Sequence, residues 1–333
     1  ERMKKILTVV IPAYNVEKYL ERCMHSFEIP EILDKIEILV INDGSKDGTE
    51  QIARAYCEKY PQTYFLYNKE NGGHGSGINY GIRYATGKYF KVVDGDDWVD
   101  AQELKKFVSV LEKQEVDVVA SDFTCIQDET YAVLEEKQCT YNQAQYGKCC
   151  SLPQGEVEHI IKMHSLTIKT AILQEHQIHM DEKCYYVDCE YITYPIPYVD
   201  TVYFYKGSLY QYRLGRQGQS VDIKSMQKNR SQHRYVLEQL LDFYRKEQKQ
   251  LKAGTKRYME CCIAQVVENE FQIYISMGLK KGIRKELQQW DLELKEKYWE
   301  IYAATDKKSI TMLRKTNYHV LKLGAVIYKV VKG

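Results

Sequence analysis

Residues 88–100, read KYFKVVDGDDWVD, constrain this 333-residue chain more than any other stretch. Tyr89, Phe90, Val92 and Val93 make an apolar run of β-forming residues that stops at three carboxylates, Asp94, Asp96 and Asp97. A buried strand whose C-terminal end opens into a crevice has this pattern, and open α/β sheets hold their ligands there. Acids this close repel one another unless a cation sits among them. Their hard oxygens suit Mg²⁺ or Mn²⁺, with a phosphate completing the shell. The competing reading makes Asp96 or Asp97 the N-cap of the following helix, with the other acids solvated.

Upstream and downstream segments extend that strand into a sheet. Residues 6–11 (ILTVVI) form an apolar run expected to end at Pro12 as a buried parallel strand. Asn15 is the expected cap of a helix whose inner face is Tyr19, Leu20, Cys23 and Phe27. A second strand over 36–41 runs into Asn42-Asp43-Gly44-Ser45, and Asp47 and Glu50 then stand at capping-box spacing. A third strand over 64–67 leads to the glycine-rich residues 71–81, a short helix and the strand above. A helix over 101–114 and a strand over 116–120 follow. This order predicts an α/β fold with a mostly parallel, Rossmann-like sheet sandwiched by helices. Strand-like segments at 199–205 and 209–212 continue the sheet or give it an antiparallel edge.

The glycines exclude two familiar phosphate loops. A dinucleotide fingerprint needs G-x-G-x-x-G after the first strand, where this chain has PAYN, and within 71–81 the register fails at Ile78 and Tyr80. A Walker loop needs four residues between its glycines and Ser or Thr after Lys; Gly81 to Gly87 leaves five, and Tyr89 follows Lys88.

From about 225 the chain reads as helical. Val236, Leu237, Leu240, Leu241 and Tyr244 form one stripe, and Ile283, Leu287, Trp290, Leu294, Tyr298 and Ile301 another. The expected organisation is a catalytic domain over 1–222, split into 1–120 and 121–222, and a helical region over 223–333. Over 318–332, Val320, Leu323, Val326, Ile327, Val330 and Val331 share one helical face, with Lys322, Lys329 and Lys332 opposite. Docking through this face as a closing helix is the simpler expectation. Peripheral contact with an anionic membrane surface is the other.

Composition adds exclusions. A net charge of +1 leaves no global footprint for nucleic acid. No apolar run approaches the ~18 residues of a membrane span, and no secretory leader is evident. The ten cysteines include no CxxC and read as reduced small hydrophobes, which implies a reducing, cytoplasmic setting, with the inner membrane face as its possible boundary. The 29 tyrosines suit packing and the stacking of sugars or bases.

With these residues in view, VVIPAYN (9–15), INDGSKDGT (41–49), ENGGHGSGINYGI (70–82) and ATGKYFKVVDGDDW (85–98) together resemble a family 2 glycosyltransferase with the GT-A fold. The resemblance covers 4–120 well and 180–220 loosely. It implies a UDP-sugar donor, a hydroxyl acceptor on a glycan or lipid-linked envelope precursor, and a divalent cation. By the same resemblance Pro12, Ala13, Tyr14 and Asn15 lie at the nucleobase, and Asp43 accepts a hydrogen bond from it. Asn71, Gly72 and Gly73 let backbone approach the ribose and diphosphate. Ile78 stands where the family often carries arginine, leaving His74 as a substitute. Asp94-Gly95-Asp96-Asp97 matches the family's DxD-type metal site. Asp96 is the main metal-side carboxylate there, Asp94 a ribose or metal partner, and Asp97 a ligand or a cap.

A hydroxyl acceptor needs a general base. The family's ED-x-x-aromatic segment is similar to Val187-Asp188-Cys189-Glu190-Tyr191, with Val187 replacing the usual glutamate. Asp188 is the candidate base and Glu190 the reserve, and attack opposite the leaving group predicts inversion of a hexosyl C1. In YQYRLGRQGQS (210–220), Arg213 or Arg216 is placed to hold a diphosphate oxygen or the acceptor. Two rival classes stand beside this one. A sugar-nucleotide pyrophosphorylase wants a basic, glycine-rich loop after the first strand, where PAYN stands. A non-catalytic glycan-binding scaffold has no use for a repelling acid cluster.

Overall fold

Seven consecutive buried residues, Leu7–Ala13, form β1 of a ten-stranded sheet in the computed structural model, which describes residues 5–216 and 219–332. The chain divides into two compact units, Glu1–Gln217 and Gly218–Gly333. Gln217 and Gly218 of the Tyr-Arg segment, and the side chains of Val331 and Lys332, lie outside the described residues.

In the first unit β1 is followed by α1 (Glu17–His25), β2 (Ile36–Asn42), α2 (Thr49–Lys59), β3 (Tyr64–Asn68), α3 (Gly73–Tyr84) and β4 (Tyr89–Val92). Then come β5 (Trp98–Val99), α4 (Ala101–Lys113), β6 (Val118–Gln127), β7 (Val133–Lys137), β8 (Cys149–Ser151) and β9 (Leu166–Lys169). The unit closes with α5 (Thr170–Glu175), α6 (Asp188–Thr193) and β10 (Thr201–Leu214). The sheet order is β3-β2-β1-β4-β9-β6-β10-β5, with β7 on β6 and β8 on β10. The half containing β3, β2, β1 and β4 is parallel. Beyond it, β9 runs antiparallel to both β4 and β6, so the sheet is more mixed than the sequence predicts. The two strand-like segments at 199–212 are one strand, β10, parallel to β6 with register shifts around Ser208 and antiparallel to β5.

Pro12 does not end β1 but lies inside it, opposite Ile41. β1 pairs with β4 only as far as Val10, so beyond that point one side of the strand has no ladder needing a donor. Asn15 does not cap α1 either. It sits at φ +52° and its side chain accepts from the Lys46 amide at 2.8 Å. The two helix starts cap each other instead. Asp47 accepts from Glu17 N (3.2 Å) and Thr49 N (3.1 Å), and Glu17 accepts from Gly48 N (2.6 Å). Glu50, expected to close a capping box, pairs with Arg54. This exchange exists because β1 and β2 are parallel and in register, which brings the turns after them side by side.

The second unit is helical: α7 (Ile223–Lys228), α8 (Arg230–Glu247), α9 (Ala253–Ser276), α10 (Ile283–Lys297), α11 (Trp299–Ala304), α12 (Lys308–Lys315) and α13 (Leu321–Lys332). The α8 stripe Val236, Leu237, Leu240, Leu241 and Tyr244 is buried as expected, and α9 supplies the facing core with Met259, Ile263, Val267 and Phe271. α13 docks through a face other than the predicted one. Tyr318, Leu321 and Ala325 are buried, and Gly278 admits them closely: a Cβ there would stand 3.1 Å from that of Ala325. Leu323, Val326, Ile327 and Val330 stay exposed. No helix among the described residues is long and apolar enough to cross a membrane.

Candidate active site

Three turns converge because three neighbouring parallel strands end together. β1 runs from Leu7 opposite Ile36 of β2 to Ala13 opposite Asn42, and Val10 lies opposite Val92 of β4. The chain builds outward from β1 in both directions, so the crevice between β1 and β4 is the switch point of this sheet. PAYN, NDGS and DGDD therefore share one sheet edge.

Within DGDD, carboxylate oxygens of Asp94, Asp96 and Asp97 lie within 4.8 Å of one another. Asp97 is buried; it accepts from the Tyr210 hydroxyl at 2.6 Å and from Arg213 N at 2.7 Å. Tyr210 in turn accepts from the Asp94 amide at 3.2 Å. Neither Asp96 nor Asp97 caps the next helix: Asp100 does, accepting from Glu103 N at 2.9 Å. The Arg213 side chain, 2% exposed, donates from Nε to the Asp96 carbonyl at 2.7 Å and pairs with Asp128 at 2.8 Å. Its guanidinium also lies against the rings of Tyr19, Trp98 and Tyr131. Arg213 is thus a support for the acidic turn, and its burial argues against the expected diphosphate contact. Arg216, by contrast, reaches the Asp96 carboxylate at 2.6 Å.

The electrostatics are uneven. Burial and then the Asp96 and Asp94 charges push Asp97 well above the carboxylate range. Burial and the Asp94 charge push Asp96 up, with Arg216 opposing. Burial would raise Asp94 too, but His74, whose Nε2 is 2.7 Å from Asp94 Oδ1, outweighs it and holds Asp94 low. Burial acts to lower His74, and the Asp94 charge overcomes it, so the imidazole is raised. Two carboxyls driven toward protonation by a third are what a divalent cation relieves. The donor set is all oxygen, which fits Mg²⁺ or Mn²⁺. With Asp97 engaged by Tyr210 and Arg213, Asp94 and Asp96 are the residues that could hold the ion.

Asp43 is buried and organises the glycine-rich turn. It accepts from Gly72 N (2.8 Å) and Gly73 N (2.7 Å) and pairs with Lys69, while Asn71 Nδ2 donates to its carbonyl at 3.0 Å. Gly73 sits at φ +83°, where a side chain would be strained, and a Cβ at Gly75 would meet the Asp181 carbonyl at 2.2 Å. The amides of Gly72 and Gly73 therefore serve Asp43, and α3 begins among residues expected to be loop. Ile78, at the family's arginine position, is fully buried. A Cβ at Gly77 would come within 2.9 Å of that of Pro12, and at Gly95 within 3.3 Å of its carbonyl, so PAYN is clamped between α3 and DGDD. Tyr14 remains 51% exposed over the crevice edge.

Asp188 opens α6 and is exposed to solvent. Surrounding protein raises its carboxyl; the nearby His74 charge opposes this and that of Asp94 adds to it, which places Asp188 within electrostatic range of the acid cluster. Glu190, the reserve base, points the other way. It is fully buried, accepts from Asp181 N at 2.8 Å and is pushed up to about 8 by burial. It braces the 180–184 segment over the start of α3, a supporting role and not that of a base facing the crevice.

Sequence reasoning missed Tyr210, Lys69 and Asp128, which hold the turns, and the buried Lys91 and half-buried His164 behind them. Tyr210 was legible only as an aromatic in a strand; its role depends on β10 pairing with β5, beside the acids.

The strand order, the switch-point crevice and an acid cluster at the end of β4 define an α/β domain of the GT-A type. Residues 8–173 match the family described as glycosyl transferase family 2, and the chain belongs to that family. The minor teichoic acid biosynthesis protein GgaB of Bacillus subtilis (strain 168) is 36% identical over 116 residues, covering 34% of this chain and 13% of that protein. The uncharacterized glycosyltransferase EpsJ of the same organism is 33% identical over 121 residues, covering 36% of this chain and 35% of its own length. The chain thus spans about a third or less of these curated relatives. The structure of S. aureus TarS 1–349 in complex with UDP-GlcNAc matches with a TM-score of 0.61 at 18% identity, over 96% of this chain and 88% of that one, a likeness of fold.

Proposed function

We propose that the chain is an inverting, metal-dependent hexosyltransferase. It moves a sugar from a nucleotide sugar, most simply a UDP-sugar, to a hydroxyl of a glycan or lipid-linked precursor of a cell-envelope polymer. The observation that carries this reading is the clustering of Asp94, Asp96 and Asp97 at the switch-point crevice, within electrostatic range of an exposed Asp188. UDP in the TarS complex and the teichoic acid role in the name of GgaB support the donor and acceptor classes. A cytoplasmic location, with peripheral membrane contact through 318–332, belongs to the same reading.

Pro12, Ala13 and Tyr14 form the wall on which the base lies. Asp43 orients it through Oδ2, which retains an acceptor position beside Gly73 N, while Oδ1 is taken by Gly72 N and Lys69. Asp94 and Asp96 hold the cation, which when bound offsets the negative charge growing on the departing diphosphate. Arg216 leaves Asp96 and takes up a diphosphate oxygen, a bidentate task suited to guanidinium. Asp188 receives the proton of the acceptor hydroxyl as that oxygen attacks C1 from the face opposite the diphosphate, so the anomeric configuration inverts. Its raised pKa strengthens it as a base and requires a pH above that value for the carboxylate to be ready.

The test is a panel of nucleotide sugars with Mn²⁺ or EDTA, read by thermal shift and by donor turnover. UDP-sugars should stabilise the chain only with metal. Asp188→Asn should keep the thermal shift and lose turnover by roughly 10²–10⁴-fold. Turnover at the wild-type rate in Asp188→Asn removes the base assignment, and undiminished turnover in EDTA removes the metal.

A further inference from the structure

The second unit carries an exposed apolar face that its own fold leaves uncovered. On α13 the docked side is Leu321 and Ala325, and the opposite side presents Leu323 (60% exposed), Ile327 (53%) and Val330 (80%). At 100° per residue these lie within about 60° of one another and roughly opposite Leu321. The surface extends off the helix. A groove of about 570 Å³ between α9, α12 and α13 is lined by Phe271, Ile275, Ile310, Leu313, Val320 and Ile327. Met312 beside it is 58% exposed.

Charge on the segment that carries this face has one sign, and the one acid lining the groove, Glu268 of α9, is paired with Lys307. Residues 307–332 contain Lys307, Lys308, Arg314, Lys315, Lys322, Lys329 and Lys332 and no Asp or Glu, in a chain whose net charge is only +1. Two of these cations are used internally, Lys307 on Glu268 at 2.6 Å and Arg314 on the buried Asp291 at 2.8 Å. Lys308, Lys315, Lys322 and Lys329 are exposed. Lys322 and Lys329 lie along one edge of the apolar side of α13, about 100–120° from Leu323 at 100° per residue. From there their stems can lie along hydrocarbon while the ammonium groups reach a charged headgroup layer.

We propose that α12 and α13 together form a docking surface for an anionic lipid bilayer. Leu323, Ile327, Val330 and Met312 enter the acyl boundary, and Lys308, Lys315, Lys322 and Lys329 lie at the anionic headgroups. The lysines of α12 and α13 select this occupant over a second copy of the chain: two such basic faces opposed would repel, whereas an anionic leaflet is complementary to them. This surface is distinct from the acid crevice; it deepens the membrane contact of the proposed function, and because vesicle binding is read without donor turnover, its failure leaves the transfer chemistry standing.

The experiment is co-sedimentation of the 333-residue chain with phosphatidylcholine vesicles and with vesicles containing phosphatidylglycerol, at two salt concentrations. Binding should require the anionic lipid and weaken with salt. Leu323→Glu/Ile327→Glu changes only exposed positions and should abolish pelleting with the circular dichroism unchanged. Lys322→Glu/Lys329→Glu should lower the partition coefficient by at least roughly tenfold. Equal binding of both variants and wild type overturns the proposal, as does failure of wild type to bind anionic vesicles. A concentration-dependent dimer in sedimentation velocity that Leu323→Glu/Ile327→Glu dissolves, without vesicle binding, assigns the face to a second copy and overturns it as well.

Discussion

The two units bury acids in opposite ways. In the helical unit Glu270 is fully buried, and its oxygens meet His233 at 2.6 Å and Arg234 at 2.7 Å. Burial would raise this carboxyl, and its two partners hold it below the ordinary value. Asp291, also buried, pairs with Arg314 at 2.8 Å and accepts from the Tyr318 hydroxyl. In the α/β unit, Asp96 is pushed up by burial and the Asp94 charge, and Asp97 by burial and the charges of Asp96 and Asp94. The first pattern is a closed account of charge, in which each anion has its cation within the fold. The second is open, and an open cluster at a crevice marks a place where a charge from outside belongs. The difference separates a structural acid from a functional one without reference to any motif.

Breaking the closed pattern should have the largest effect. Glu270→Ala leaves the buried His233 and half-buried Arg234 without their anion, and should lower the unfolding free energy by about 3–5 kcal/mol, read by urea denaturation. Asp96→Asn is the matching change in the open cluster and should divide differently. It removes one repelling charge and one partly exposed pair with Arg216, so stability should change by less than about 1 kcal/mol. Donor turnover should fall by roughly 10²–10³-fold, about 3–4 kcal/mol of transition-state stabilisation. If Asp96→Asn unfolds the chain as severely as Glu270→Ala, the contrast is false and the acids of DGDD are structural.

Much of this was readable from the chain, and the reason lies in sequence distance. The parallel half of the sheet follows from apolar runs alternating with helical stripes, and its ligand edge from Asp43 and Asp94 standing where two runs stop. Local signals failed where a partner lies far away. Asn15 has the composition of a cap, but Asp47 does that work from across the α1 and α2 starts. β9 has only four residues, and it becomes a strand because β4 and β6 offer edges on both sides. Arg213 and Arg216 look alike in sequence and differ in burial because β10 carries one beneath Trp98 and ends before the other. The apolar face of 318–332 was visible as a pattern, while the choice of docking side depended on Gly278, forty residues upstream of it.

Lys91 offers the sharpest remaining test, because it is a buried cation in the unit where Asp96 and Asp97 stay raised. It lies in β4 between Phe90 and Val92, 1% exposed, and donates to the carbonyls of His164 (2.7 Å) and Leu166 (3.2 Å). Burial pushes it down to about 7, so between there and the ordinary lysine value the unfolded chain holds a proton that the folded chain has released. Stability should therefore rise with pH from about 7 upward, and the penalty of burying the charge is complete below that point. A single such group gives a slope approaching about 1.4 kcal/mol per pH unit, hence about 1–2 kcal/mol between pH 7 and 8.5. Lys91→Met keeps the length of the side chain without the charge. Its melting temperature should be flat over that range where wild type climbs. Parallel curves for the two would mean that the carbonyls of His164 and Leu166 satisfy the ammonium as fully as a carboxylate does, and the α/β unit would then bury its cation on terms as settled as those of the helical unit.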